Sequence, residues 1–160
     1  MKSINWLLVT AITAILTGCA TSKTDSMGRQ KIYDETADGS QQIAKALTQA
    51  KNESKRVLIQ LGANWSEGCH RLYDVFKSNM AVSQELQSDY IWVLVDLDQG
   101  HNAEVDQQYG NATRFGYPAL VILDADGKQL VGTGGDDFEQ AGHHDLVKLV
   151  AFLKQWAPKH

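Results

Sequence analysis

The chain predicts an α/β sandwich on a mixed sheet, and three observations carry that expectation. Two nearly continuous apolar runs, Val57–Leu61 and Ile91–Val95, are separated by a helical pattern, as expected of parallel strands covered on both faces. Ala119–Leu123 and Gln129–Val131 flank the turn sequence Asp124-Ala125-Asp126-Gly127 and read as a hairpin. A helix with the apolar stripe Leu146, Leu149, Val150 and Leu153 closes the chain. With 160 residues, 43% of them hydrophobic, the chain can build one domain with a substantial core.

Taken in order, residues 1–18 read as a secretory signal. Lys2 precedes the apolar run Trp6-Leu7-Leu8-Val9 through Ile12 and Ile15, which is too short for a comfortable membrane span. It ends in Leu16-Thr17-Gly18-Cys19, which resembles the lipobox of bacterial lipoproteins. That resemblance makes Cys19 the lipidated residue and new N-terminus, with Ala20 after it matching the routing to an outer membrane. Ordinary signal cleavage leaving a free Cys19 is the alternative. Residues 19–39 are polar and mixed in charge and are expected to form a lipid-anchored tether. The folded domain is then expected over 40–160.

Ile43, Ala44, Leu47 and Ala50 place a helix over Ser40 to about Glu53. The strand Val57–Leu61 follows, then a helical pattern to about Ser78, a short helical segment and the strand Ile91–Val95. A short polar helix is expected around Ala103–Tyr109, before Gly116-Tyr117-Pro118 and the hairpin. Asp145 is placed to cap the last helix, and Pro158 stands beyond its end.

Loss of residues 1–18 removes Lys2 and moves the formal charge from −4 to −5. This mildly acidic balance argues against nucleic acid as a partner, since such binding begins with basic patches. If Cys19 carries lipid, Cys69 is the single remaining thiol, and no disulfide can form within the mature chain.

The stretch with chemistry in it is GANWSEGCHRL, Gly62 to Leu72. Gly62-Ala63-Asn64-Trp65, Ser66-Glu67-Gly68-Cys69-His70, the later Gly116-Tyr117-Pro118 and the Asp126-Gly127 turn together resemble the thioredoxin superfamily, in particular bacterial members with a G-A-x-W-C-x-x-C-H signature. The resemblance spans about residues 40–156 and implies a thioredoxin-like fold with four to five strands. In that family the first cysteine, at a helix N-terminus where the macrodipole lowers its pKa, attacks a disulfide, and the second resolves the intermediate. Ser66 stands at the attacking position here, so the two-cysteine cycle cannot run. Gln60 stands where many members carry a buried acid, and an amide does not shuttle protons at physiological pH. Pro118 matches the family's cis-proline, and the backbone at Tyr117 matches its substrate-binding edge.

Each residue also has a structural role open to it. Cys69, Leu72, Tyr73 and Phe76 share one helix face, so Cys69 is either a small core residue with a raised pKa or a thiol that opens to solvent at the first turn. Ser66 fits an N-cap better than a nucleophile, because no base is identifiable beside it. Trp65 either contacts a partner, shields the site or staples onto the core. Pro118 could equally be a turn proline. Of the histidines, His70, His101, His143, His144 and His160, none completes a set with ligand spacing, so neither metal nor haem is expected, and no other cofactor. The Ser66/Cys69 spacing also matches the T-x-x-C of peroxiredoxins, although Gly62 occupies that family's proline position.

Two functions fit these residues. One is a membrane-anchored envelope protein that holds a client or partner protein through Trp65, Tyr117 and Pro118 without dithiol exchange. The other is a thiol-disulfide oxidoreductase or peroxidase-like enzyme using Cys69 alone with an external reductant.

Overall fold

The computed structural model describes residues 23–140 and 143–159. The expected signal, 1–18, and the lipobox Cys19 lie outside the described residues. No helix among the described residues is long and apolar enough to cross a membrane.

Strand β1 (Arg56–Gly62) lies inside a four-stranded sheet of order β2-β1-β3-β4. It pairs in parallel with β2 (Tyr90–Asp96) and antiparallel with β3 (Ala119–Leu123). β4 (Gln129–Thr133) pairs antiparallel with β3 and forms the opposite edge. The parallel pair needs a crossover, supplied by α2 (Glu67–Ser78) and α3 (Met80–Asp89). The hairpin needs only the expected turn, in which Asp124 Oδ1 accepts from the N–H groups of Asp126 and Lys128 and Gly127 takes φ +87°.

The sheet is covered on both faces. On one, α1 (Gly39–Glu53) and α4 (Ala103–Gln108) pack Ile43, Ala46, Ala50, Val105 and Tyr109 against Val57, Ile59 and Leu61. On the other, α2, α3 and α5 (Leu146–Gln155) pack Leu72, Phe76, Val82, Leu149 and Leu153 against Leu58 and Ile122. The two strips alternate along β1, which is why its run reads as continuously apolar. Side-chain caps begin the helices: Asp38 on α1, Asn79 on α3 and Asp145 on α5.

Three expectations change. Ala44 is exposed, and Ala46 takes its place in the buried face of α1, three residues after Ile43. Leu146 lies at the first residue of α5 and is 40% exposed, so the stripe that seals the core is Leu149 and Leu153. The third difference is the stretch expected as a tether, which from residue 23 onward folds back on the domain. Its Tyr33 is buried, and Thr24 and Gln30 form an isolated antiparallel bridge. The reason lies in partners distant in sequence, which local polarity does not reveal. A further short antiparallel pair, β5 (Glu139–Gln140) with β6 (His143–His144), precedes α5 and had no counterpart in the sequence pattern.

Leu149→Ala should cost about 2–5 kcal/mol in urea unfolding, whereas Leu146→Ala should cost under about 0.5 kcal/mol. Equal losses would contradict the helix register.

Candidate functional site

The site forms at the C-terminal end of β1, where the chain turns through Ala63–Trp65 into α2. Ser66 N–H bonds to Ala63 O at 3.1 Å, and Ser66, with φ −76° and ψ 115°, is the N-cap residue. Its Oγ accepts from Cys69 N–H at 3.4 Å. The position at which the chemistry of the resemblance needs a sulfur is therefore filled by an oxygen engaged in starting the helix.

Cys69 is fully buried one turn later. Its sulfur sits over Gly62, where an added Cβ would lie 2.3 Å from Sγ and 2.6 Å from the Tyr33 hydroxyl oxygen. Only a residue without a side chain lets sulfur and phenol settle onto the strand here. The hydroxyls of Tyr33 and Ser66 and the N–H of Ala63 favour the charged form of the sulfur. Burial nevertheless prevails over them and pushes the thiol above its ordinary range. The Tyr33 hydroxyl is itself raised well above the usual phenol value, first by burial and then by the neighbouring thiol.

Gln60 is fully buried beside this pair. Its Nε2 donates to Tyr33 Oη at 2.8 Å and to Cys69 O at 3.3 Å, so the residue standing at the expected acid position works as a donor. A carboxyl does occupy the same neighbourhood, from the next strand. Asp96 is 1% exposed and opposite Gly62 in register. Its Oδ2 accepts from Asp98 N–H at 3.2 Å and lies 3.1 Å from His101 Nδ1, while its Oδ1 has no hydrogen-bond partner among the described residues. Burial raises its pKa, against His101 and the Asp98 N–H, which favour the charged form. Sequence reasoning passed over Asp96; the available signal was a charge ending the apolar run Ile91–Val95.

Sequence reasoning also missed Asn64, the variable position of the G-A-x-W pattern. Its Oδ1 accepts from Ile32 N–H at 2.8 Å and Tyr33 N–H at 2.9 Å; its Nδ2 donates to Tyr33 O at 3.0 Å and to Glu35 Oε1 at 2.9 Å. The adjacent carbonyls of Asn64 and Trp65 accept from Arg29 Nη2 at 3.2 and 3.1 Å. His70 Nε2 reaches Asn64 O at 2.7 Å, so His70 turns to the loop and away from the sulfur.

The exposed part of the site is aromatic. Trp65 is 52% exposed, donates from Nε1 to Asp98 Oδ1 at 2.8 Å and lies 5.6 Å from Tyr117 between ring centroids. It lies on the surface and does not staple α2 to the core. The Tyr117–Pro118 peptide is cis, and the first turn of α2 abuts it at Gly68, whose added Cβ would lie 3.1 Å from Tyr117 O. Trp65 and the half-buried Tyr117 thus come together at the surface, with Pro118, Ser66 and Cys69 buried behind them. Among the described residues no group of three or more His, Cys, Asp or Glu side chains could hold a metal ion.

A family model described as thioredoxin-like matches residues 38–125. The chain belongs to the thioredoxin-like family. Its thioredoxin-like fold is shared with a disulphide isomerase from Xylella fastidiosa Temecula1, at 29% identity and TM-score 0.70 over 79% of this chain and 96% of that one. A DsbH oxidoreductase is 26% identical with TM-score 0.52, covering 71% of this chain and 81% of that one. The DsbD C-terminal domain of Neisseria meningitidis in its oxidised form, 18% identical with TM-score 0.55 over 74% and 96%, shares the fold. No match was found among curated protein sequences. The fold of this thioredoxin-like chain is thus one used by disulfide oxidoreductases.

Because the folded protein holds the Cys69 proton more tightly than the unfolded chain does, the stability linked to it is whole below the unfolded thiol's pKa of about 8.5. It is lost as pH rises through and beyond that value. Wild-type unfolding free energy should therefore fall more steeply between about pH 8 and pH 10 than that of Cys69→Ala. Parallel pH profiles would show that the sulfur titrates alike in both states.

Proposed function

We propose that this thioredoxin-like protein is exported, anchored in the cell envelope by lipid on Cys19, and holds a client or partner protein through the face formed by Trp65, Tyr117 and Pro118. The observation that carries this reading is the separation between an exposed aromatic face and a sulfur without solvent contact. Trp65 is 52% exposed and Cys69 is 0% exposed. A disulfide must meet an attacking thiolate in line, and the residue at the attacking position of this site is a buried capping serine. An extended segment, by contrast, can lie along Tyr117-Pro118 and rest a side chain on Trp65 without touching sulfur. If the source is a Gram-negative bacterium, the Cys19-Ala20 sequence puts the protein on the outer membrane facing the periplasm.

A second reading is supported by the hydroxyls of Tyr33 and Ser66 and the N–H of Ala63, which would favour a thiolate at Cys69 once water reached it. In that case Cys69 attacks a client disulfide, forms one S–S bond and releases one client thiolate. An external thiol then attacks the Cys69 sulfur and releases the second client thiolate, and a second external thiol attacks the outer sulfur of the resulting mixed disulfide, forming the external disulfide and releasing Cys69 as thiolate. A peroxide could serve instead as the oxidant of the same sulfur.

The two readings separate in one pair of assays. With an unfolded, alkylated model polypeptide as probe, Trp65→Ala or Tyr117→Ala should weaken binding about tenfold or more, while Cys69→Ala leaves it within about twofold. Wild-type protein should not catalyse reduction of insulin by dithiothreitol. Catalysis abolished by Cys69→Ala, or binding lost in that variant, would overturn the binding role.

A further inference from the structure

The geometry points to residues 23–38 as a releasable strap whose Tyr33 covers Cys69. We propose that the thiol is reachable when this strap lifts, with the sheet and its helices still folded.

Tyr33 is 3% exposed, yet it belongs to neither of the two apolar clusters that hold the sheet and helices together. Those clusters are made by residues from Ile43 onward. Removing the strap leaves both intact. What the strap does complete is the small cradle over Gly62, which the Tyr33 hydroxyl shares with Cys69 Sγ. The cradle has no room for even one carbon added at Gly62, and the sulfur has no solvent contact, so alkylation or disulfide formation needs Tyr33 to move.

The strap is fastened chiefly by hydrogen bonds. Arg29 reaches the carbonyls of Asn64 and Trp65 while its Nε donates to Asp25 Oδ2 at 2.8 Å; Asn64 holds Ile32, Tyr33 and Glu35; and Asn102 Nδ2 donates to Ala37 O at 3.2 Å. Its largest exposed apolar residue, Met27, is 68% exposed and adds nothing to the core. Segments held in this way open at lower free energy than the elements they cover. The distance to be opened is short, because the sulfur lies in the first turn of α2, one turn from the exposed Trp65. The strap also grips the same loop that carries Trp65, so a ligand that shifts the Asn64 and Trp65 carbonyls acts on the strap as well.

The test is pulsed alkylation of the full-length protein with N-ethylmaleimide, read by mass spectrometry on the peptide containing Cys69, beside urea unfolding followed by circular dichroism. Wild-type labelling should show a shallower urea dependence than global unfolding. Arg29→Ala should label about tenfold faster or more, with the urea midpoint little changed. Tyr33→Phe, which keeps the ring, should stay protected, whereas Tyr33→Ala should lose protection. If Tyr33→Ala does not fold, Arg29→Ala decides. Labelling that follows global unfolding with its full urea slope in both wild type and Arg29→Ala would overturn the strap. The outcome does not depend on whether the aromatic face or the thiol carries the protein's function.

Discussion

The side-chain amide of Asn64 uses all four of its hydrogen-bonding positions on one short piece of chain, accepting from the N–H groups of Ile32 and Tyr33 and donating to Tyr33 O and Glu35. At 3% exposure every position of this amide is filled while the segment stays docked, and a bond lost without opening the segment to water would leave a buried polar group without a partner. This clamp sets the height of the Ala63–Trp65 loop above the end of β1. From that height follow the entry of the chain into α2, the cap made by Ser66 and the depth of Cys69 behind it. The same clamp delivers Tyr33 to the sulfur, so the loop and the segment covering it are a single arrangement.

The consequence is a site with two unlike halves. Inside, Cys69, Tyr33, Gln60 and Asp96 form a buried polar cluster in which burial raises the pKa of the thiol, the phenol and the carboxyl alike. Each is held toward its neutral form, the opposite of what an attacking thiolate requires. Outside, Trp65 and Tyr117 offer an aromatic surface beside a cis-proline, with a side-chain partner for the indole N–H in Asp98. The fold is one used by disulfide oxidoreductases, and Ser66, next to the exposed Trp65, caps the turn that buries Cys69.

Much of this was legible in the residues, and what was not has a common cause. Strand β1, the hairpin and the helices α1, α2 and α5 show in local patterns: continuous apolar runs, a turn with two aspartates and a glycine, and caps at Ser66 and Asp145. The parallel pairing of β1 with β2 follows from the order of those elements, whereas the antiparallel pairing of β1 with β3 shows only in the folded sheet. Asn64, Arg29 and Tyr33 act across sequence separations that no local window spans, so a polar segment with one aromatic residue reads as a tether. Ile32-Tyr33, an apolar pair within that polar stretch, was the available sign that the segment docks. Asp96 was hidden similarly, since its relation to Cys69 exists only once β2 lies beside β1. The exposure of Leu146 reflects a different limit: helical periodicity identifies a face but not where the neighbouring layer ends.

The account rests on a sulfur that the native protein does not present to other sulfurs. Incubating the folded full-length chain with excess oxidised glutathione near pH 7.5, then measuring the mass of the Cys69 peptide after an acid quench, tests this directly. The account predicts an unmodified peptide over times in which a free surface thiol reacts to completion. Rapid, stoichiometric glutathionylation of Cys69, with the circular dichroism spectrum and urea midpoint unchanged and no lag for strap opening, would contradict it.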